Sequence, residues 1–116
     1  MRALALRPFI EDPDTDLLVP PVCDVEVVSA LRRLALRGTI SVEAAREALR
    51  NYADMPLLRP DQLPLLQRVL DLRDNFGAFD AVYVALAESH GAALVTADGR
   101  LARAAKEHLR LSVIEA

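Results

Sequence analysis

Residues 75–101, "NFGAFDAVYVALAESHGAALVTADGRL", decide the fold. Between Asp80 and Glu88 no charged residue interrupts "AVYVALA", and Gly77 and Gly91 punctuate its surroundings. An almost wholly apolar segment of that length reads as a buried helix from Asp80 to His90. After Gly91 comes a shorter run ending in "ALVT", which reads as a buried strand over residues 92–96. Asp98 then opens another helix, from Gly99 to about Leu109. Two carboxylates, Asp80 and Asp98, therefore stand against runs that otherwise read as core. An unpaired carboxylate is expensive to bury, so each needs a helix N-terminus, a cation or a metal. Spacing alone leaves all three open.

The rest of the chain continues the alternation. Residues 2–10 read as a helix that ends at the acidic turn "EDPDTD" around Pro13. "LLVP", residues 17–20, is a short apolar strand stopped by Pro20 and Pro21. Asp24 is placed to cap the next helix, whose inward face is expected to carry Val25, Val28, Leu31 and Ala35, with Gly38 as its stop. Ser41 caps a further helix, and Glu43 in its first turn suits the dipole. "PLLRP", residues 56–60, is extended between prolines. Asp61 caps a helix to about Asp74, with Pro64 tolerated in the first turn. "LSVIE", residues 111–115, is the last strand.

Short apolar strands reached through helices call for crossovers and a parallel sheet covered on both faces. The sequence thus predicts one domain over residues 1–116, a three-layer α/β/α arrangement with strands 17–20, 92–96 and 111–115 parallel. Ligands of such sheets bind beyond the carboxyl ends of the strands, which points to residues 20–26 and 96–99.

Composition narrows the function. At 116 residues with 53% hydrophobic and 27% charged residues, the chain is compact and globular. Aromatics amount to 4% with no Trp, which disfavours a base-stacking surface. The formal charge of −3 argues against coating nucleic acid by bulk charge, although local arginines remain available. A lone Cys23 excludes an internal disulfide and a multi-cysteine zinc site, and it fits a reducing compartment. "MRALALRPFIEDP" is not a signal peptide, and no apolar run is long enough to span a bilayer. A cytoplasmic protein without a membrane role is expected.

The candidates for chemistry reduce to carboxylates. Four isolated glycines give no phosphate loop, and His90 and His108 fall near helix ends, poorly placed for a Ser-His-Asp triad. Glu26 lies one turn into a helix that follows a strand, Asp80 at the mouth of the buried helix, and Asp98 just past a strand end. Three hard oxygen donors with no soft ligand would select Mg²⁺ or Mn²⁺. Each acid also has an ordinary explanation. Asp80 and Asp98 are good helix caps, and Glu26 shares a face with Ala30, Arg33 and Arg37 that reads as solvated. Asp24 lies about 200° around the helix from Glu26, so the two do not serve one site. Thr96, two residues before Asp98, points to the same side if the strand stays extended.

From "LLVPPVCDVEVVSALRRLALRG" through "FDAVYVALAESHGAALVTADGRLARAA" the chain resembles a PIN-domain ribonuclease, specifically a toxin of the VapC type. In that family a glutamate sits in an "EV…ALRR" helix, one aspartate in a "[YF]DA.Y.ALA" helix and another in a "[LV].TAD..L" turn. The matching positions are Glu26, Asp80 and Asp98, with Thr96 as the accompanying hydroxyl. The resemblance implies that these acids bind Mg²⁺ or Mn²⁺ and cleave RNA. Arg32, Arg33 and Arg100 are candidates for phosphate contacts, although surface arginines more often do nothing specific. It also implies a homodimer and a cognate VapB-like antitoxin. Family members begin with a strand carrying a further aspartate, of the "VDAS" kind, and "MRALALRPFI" offers none. The resemblance therefore implies a PIN-like domain truncated at its N-terminus, with apolar surface left open and weak activity. The alternative is a non-catalytic PIN-like remnant that dimerises or binds an antitoxin.

Overall fold

The computed structural model describes Asp12 and residues 14–115. In chain order the elements are β1 (Leu17–Leu18), α1 (Val22–Leu36), α2 (Val42–Ala53), β2 (Leu57–Leu58) and a 3₁₀ turn (Leu63–Leu65). They continue with α3 (Leu66–Asp71), α4 (Ala78–His90), β3 (Leu94–Thr96), α5 (Gly99–His108) and β4 (Val113–Glu115). This is an α/β domain with parallel strands, as the alternation predicts. The helix expected over residues 2–10 lies outside the described residues.

Local chemistry explains most helix ends. Ser41 caps α2, its Oγ accepting the Ala44 N–H at 3.0 Å. Gly91 closes α4 in the left-handed region at φ 58°, where a side chain is penalised. Two expectations need correction. The cap of α1 is Pro21, already helical at φ −51°, so the helix starts at Val22 and Asp24 sits inside its first turn. The helix expected over residues 61–74 is broken. Asp61 accepts the Leu63 N–H at 3.0 Å, but Pro64 falls in the 3₁₀ turn and α3 covers only Leu66–Asp71. Without an N–H, Pro64 cannot join an α-helical ladder.

The core gathers around α4. Six of its residues are buried, Ala81, Val82, Val84, Ala85, Leu86 and Ala87. Ala81, Val84 and Ala87 pack with Leu72 and Phe76 from beyond α3, Leu94 of β3 and Ala105 of α5. Helix α3 packs on α4, and α5 packs on β3 and β4. Helix α1 pairs with α2, and neither has a fully buried residue. The expected inward face of α1 is corrected in part: Val25 is 69% exposed and Val28 is also exposed. Its half-buried stripe includes Cys23, Glu26, Val27, Ala30 and Leu34, a helical spacing. Glu26 belongs to the inward stripe.

The sheet is divided. β1 pairs in parallel with β2, Leu17 opposite Leu57 and Leu18 opposite Leu58. β3 pairs in parallel with β4, from Leu94 opposite Val113 to Thr96 opposite Glu115. The three strands expected to share one sheet fall into different pairs, and "PLLRP" supplies the partner of β1. Among the described residues β1 and β3 are not joined. A cleft of about 300 Å³ lies between them, lined by Leu17 and Leu18 on one side and Leu94 and Val95 on the other, with Tyr83 and Leu86 along it.

Nothing lies within 4 Å of a Cβ built on Gly91, so only its backbone conformation resists substitution. Gly91→Ala should therefore cost about 1 kcal/mol, read as a lower urea midpoint with an unchanged slope.

Candidate functional site

Asp80 is the third residue of α4, but it does not cap the helix; Gly77 takes that position. Its side chain has no hydrogen bond or ion pair among the described residues. Although solvent reaches it, the carboxyl is pushed above the ordinary carboxylate range, first by partial desolvation, then by the negative charge of Asp98, then by that of Glu26. Charges act this way only on near neighbours, so three acids from separate segments share one electronegative region.

Asp98 is a cap. Its Oδ1 accepts the N–H groups of Arg100 at 2.9 Å and Leu101 at 3.3 Å. The Asp98 N–H in turn donates to Thr96 Oγ1 at 3.0 Å, so the hydroxyl holds the strand-to-helix turn. Capping uses one oxygen and leaves Oδ2 for another ligand. Glu26 is not on a solvated face. The Tyr83 hydroxyl, from α4, donates to its Oε1 at 2.6 Å. Burial first, then contacts with Cys23 and Glu26, raises the Tyr83 phenol well above its ordinary range, so it stays a neutral donor.

Asp24 has a different task. It accepts the Tyr52 hydroxyl at 2.7 Å and Arg59 Nε at 2.9 Å, and Arg59 stacks over the Tyr52 ring at 5.6 Å. These partners, the Tyr52 bond foremost, hold its carboxyl below the usual range. They tie α1 to α2 and to the segment after β2. The arginine candidates are dispersed. Arg32 and Arg33 are exposed on α1, Arg33 donating to Ser29 at 3.1 Å, while Arg100 is exposed beside Asp98 in the first turn of α5. His90 touches Ser89 and the Leu86 carbonyl, and His108 faces Glu107 at 4.0 Å. No triad forms among these contacts. Nor do three His, Cys, Asp or Glu side chains form a ready-made metal-holding set among the described residues. The residue that sequence reasoning passed over is Tyr83. A lone hydroxyl on so apolar a helix requires a polar partner, and that was the signal.

A family model described as "PIN domain" matches residues 2–107. The chain belongs to the PIN-domain family. Ribonuclease VapC9 of Mycobacterium tuberculosis is 39% identical over 98 residues, 84% of this chain and 77% of that protein. A VapC ribonuclease of Mycobacterium bovis matches to the same extent, 39% over 98 residues. Ribonuclease VapC12 of M. tuberculosis is 35% identical over 95 residues, 82% of this chain and 74% of that protein. In this PIN domain Asp98 and Glu26, from two other segments, lie near enough to Asp80 for their charges to act on it. No helix among the described residues is long and apolar enough to cross a membrane.

Crowding of the acids has a signed consequence for stability. Because the folded-state pKa of Asp80 is raised, its charged form opposes folding above that pKa. The penalty is relieved as pH falls through the raised pKa toward the ordinary carboxylate value. Asp80→Asn should raise the urea midpoint at neutral pH, and the gain over wild type should shrink on acidification through that window. A lower midpoint at neutral pH would mean that the carboxylate has a stabilising partner.

Proposed function

We propose that this PIN domain is a metal-dependent endoribonuclease of the toxin type, with Glu26, Asp80 and Asp98 as its metal-binding acids. The observation that carries the reading is that Asp80, pushed upward first by partial desolvation and then by the charges of Asp98 and Glu26, has no cation of the protein to relieve it among the described residues. Hard oxygen donors under mutual repulsion suit Mg²⁺ or Mn²⁺ in charge and in chemistry. The names of the VapC ribonucleases, at up to 39% identity, support the same reaction class. A bound cation would supply an activated water and stabilise charge on the phosphodiester. The protein's own part is to hold the acids. The helix cap orients Asp98, the rigid first turn of α4 carries Asp80, and Tyr83 holds Glu26. Thr96 fixes the turn. Arg100, adjacent to Asp98, is the best placed of the three arginines to meet an RNA phosphate, with Arg32 and Arg33 further along α1. The partners that follow are an RNA substrate and a VapB-like antitoxin, in the cytoplasm.

A second reading is favoured by two observations: no ready-made set of three ligands among the described residues, and the apolar cleft between β1 and β3. In it the chain is a non-catalytic module that covers its cleft with a second copy or an antitoxin. A homodimer fits either reading.

Asp98 separates capping from chemistry. Asn caps a helix as well as Asp, whereas Ala loses about 1 kcal/mol. Asp98→Asn should therefore keep the urea midpoint and still lower Mn²⁺-dependent RNA cleavage by about 100-fold or more, since even outer partners of metal ligands cost 10–100-fold. Glu26→Gln should do the same, and chelation should abolish cleavage. Wild-type protein that cleaves no RNA at saturating Mn²⁺ would favour the second reading.

Sedimentation velocity over a wide concentration range should show a dimer. Ile114→Glu, which places a charge on the exposed side of the cleft, should shift it toward monomer if the cleft is the contact. A compact monomer at every concentration would argue against cover by a second copy.

A further inference from the structure

We propose that Tyr83 is a positioning residue for the acidic centre: its hydroxyl fixes one oxygen of Glu26 so that the other is offered to a cation shared with Asp80 and Asp98. This rests on the metal-binding reading above and adds a residue to it. Three observations carry the inference. The Tyr83–Glu26 contact is 2.6 Å, the length of a charge-assisted hydroxyl–carboxylate bond. Tyr83 lies three residues after Asp80 on α4, so both occupy one face of a rigid element. The ring of Tyr83 is half-buried along the cleft between the strand pairs, which restricts where its hydroxyl points.

The chemistry of the donor matters. Glu26 has three rotatable bonds and its charge acts on Asp80, so without a tether its carboxylate would relax away from that acid. An arginine or lysine would hold it but would also neutralise it, as Arg59 does for Asp24. A phenol is a neutral donor. It holds the carboxylate in place and leaves its charge for a cation. Glu26 Oε2 has no hydrogen bond among the described residues.

The test is Mn²⁺ binding by electron paramagnetic resonance, with wild type, Tyr83→Phe, Glu26→Gln, the double variant and Asp98→Asn. Tyr83→Phe keeps the ring, and should weaken Mn²⁺ binding about 10–100-fold, the range for partners of metal ligands. In the Glu26→Gln background it should have no further effect, because Tyr83 acts only through Glu26. Binding that is lost in Asp98→Asn but unchanged in Tyr83→Phe would overturn the positioning role and leave the metal centre standing. Wild type that binds no Mn²⁺ would overturn the centre and the positioning role together. If Tyr83→Phe does not fold, fluorotyrosine-labelled wild type replaces it. Its Tyr83 ¹⁹F resonance, assigned with Tyr52→Phe, should move on addition of Mg²⁺ and should not move in Glu26→Gln. A Tyr83 signal indifferent to Mg²⁺ in wild type would overturn the proposal.

Discussion

Burial of α4 constrains everything else. The helix is apolar on nearly every side, and its alanines let neighbours approach closely, so it must be enclosed by α3, β3 and the residues that flank them. Enclosure fixes its axis and therefore the direction of its first turn. Asp80 rides on that turn, and Tyr83 one turn later. These two polar groups are thus aimed by hydrophobic packing, which is insensitive to the repulsion of Asp80 by other acids.

Asp24 and Asp80 show how environment divides one side-chain type into two roles. Both lie in the first turn of a helix. Asp24 meets a guanidinium and a phenol and is held in its charged form, which strengthens the join of α1 to α2. Asp80 is pushed toward its protonated form, first by partial desolvation and then by the charges of Asp98 and Glu26. The first arrangement serves stability. The second leaves unfavourable charge at neutral pH, which protonation or a cation would relieve.

The two strand pairs and the acids are connected through one side chain. Tyr83 lines the apolar cleft with its ring and bonds Glu26 with its hydroxyl. The ring thus borders the cleft between the strand pairs while the hydroxyl at its tip is engaged by Glu26.

The sequence by itself determined the alternation of elements, the buried helix with its glycine stop at Gly91, and the caps at Ser41 and Asp98. These depend on local rules: period, length, and the hydrogen-bonding reach of a side chain over a few residues. It also determined the family, because the motifs around Glu26, Asp80 and Asp98 occur in order. What it did not determine was which face of α1 is inward. Val25 and Val28 read as core and are exposed, while Glu26 is half-buried because a tyrosine 57 residues away receives it. The pairing of "PLLRP" with β1 and the division of the sheet were equally out of reach. Partner choice between strands, and between a carboxylate and a distant hydroxyl, depends on contacts that close long loops. Those contacts exist only after the chain has folded; the lone hydroxyl of Tyr83 shows that a polar partner is needed, but local sequence does not say which one.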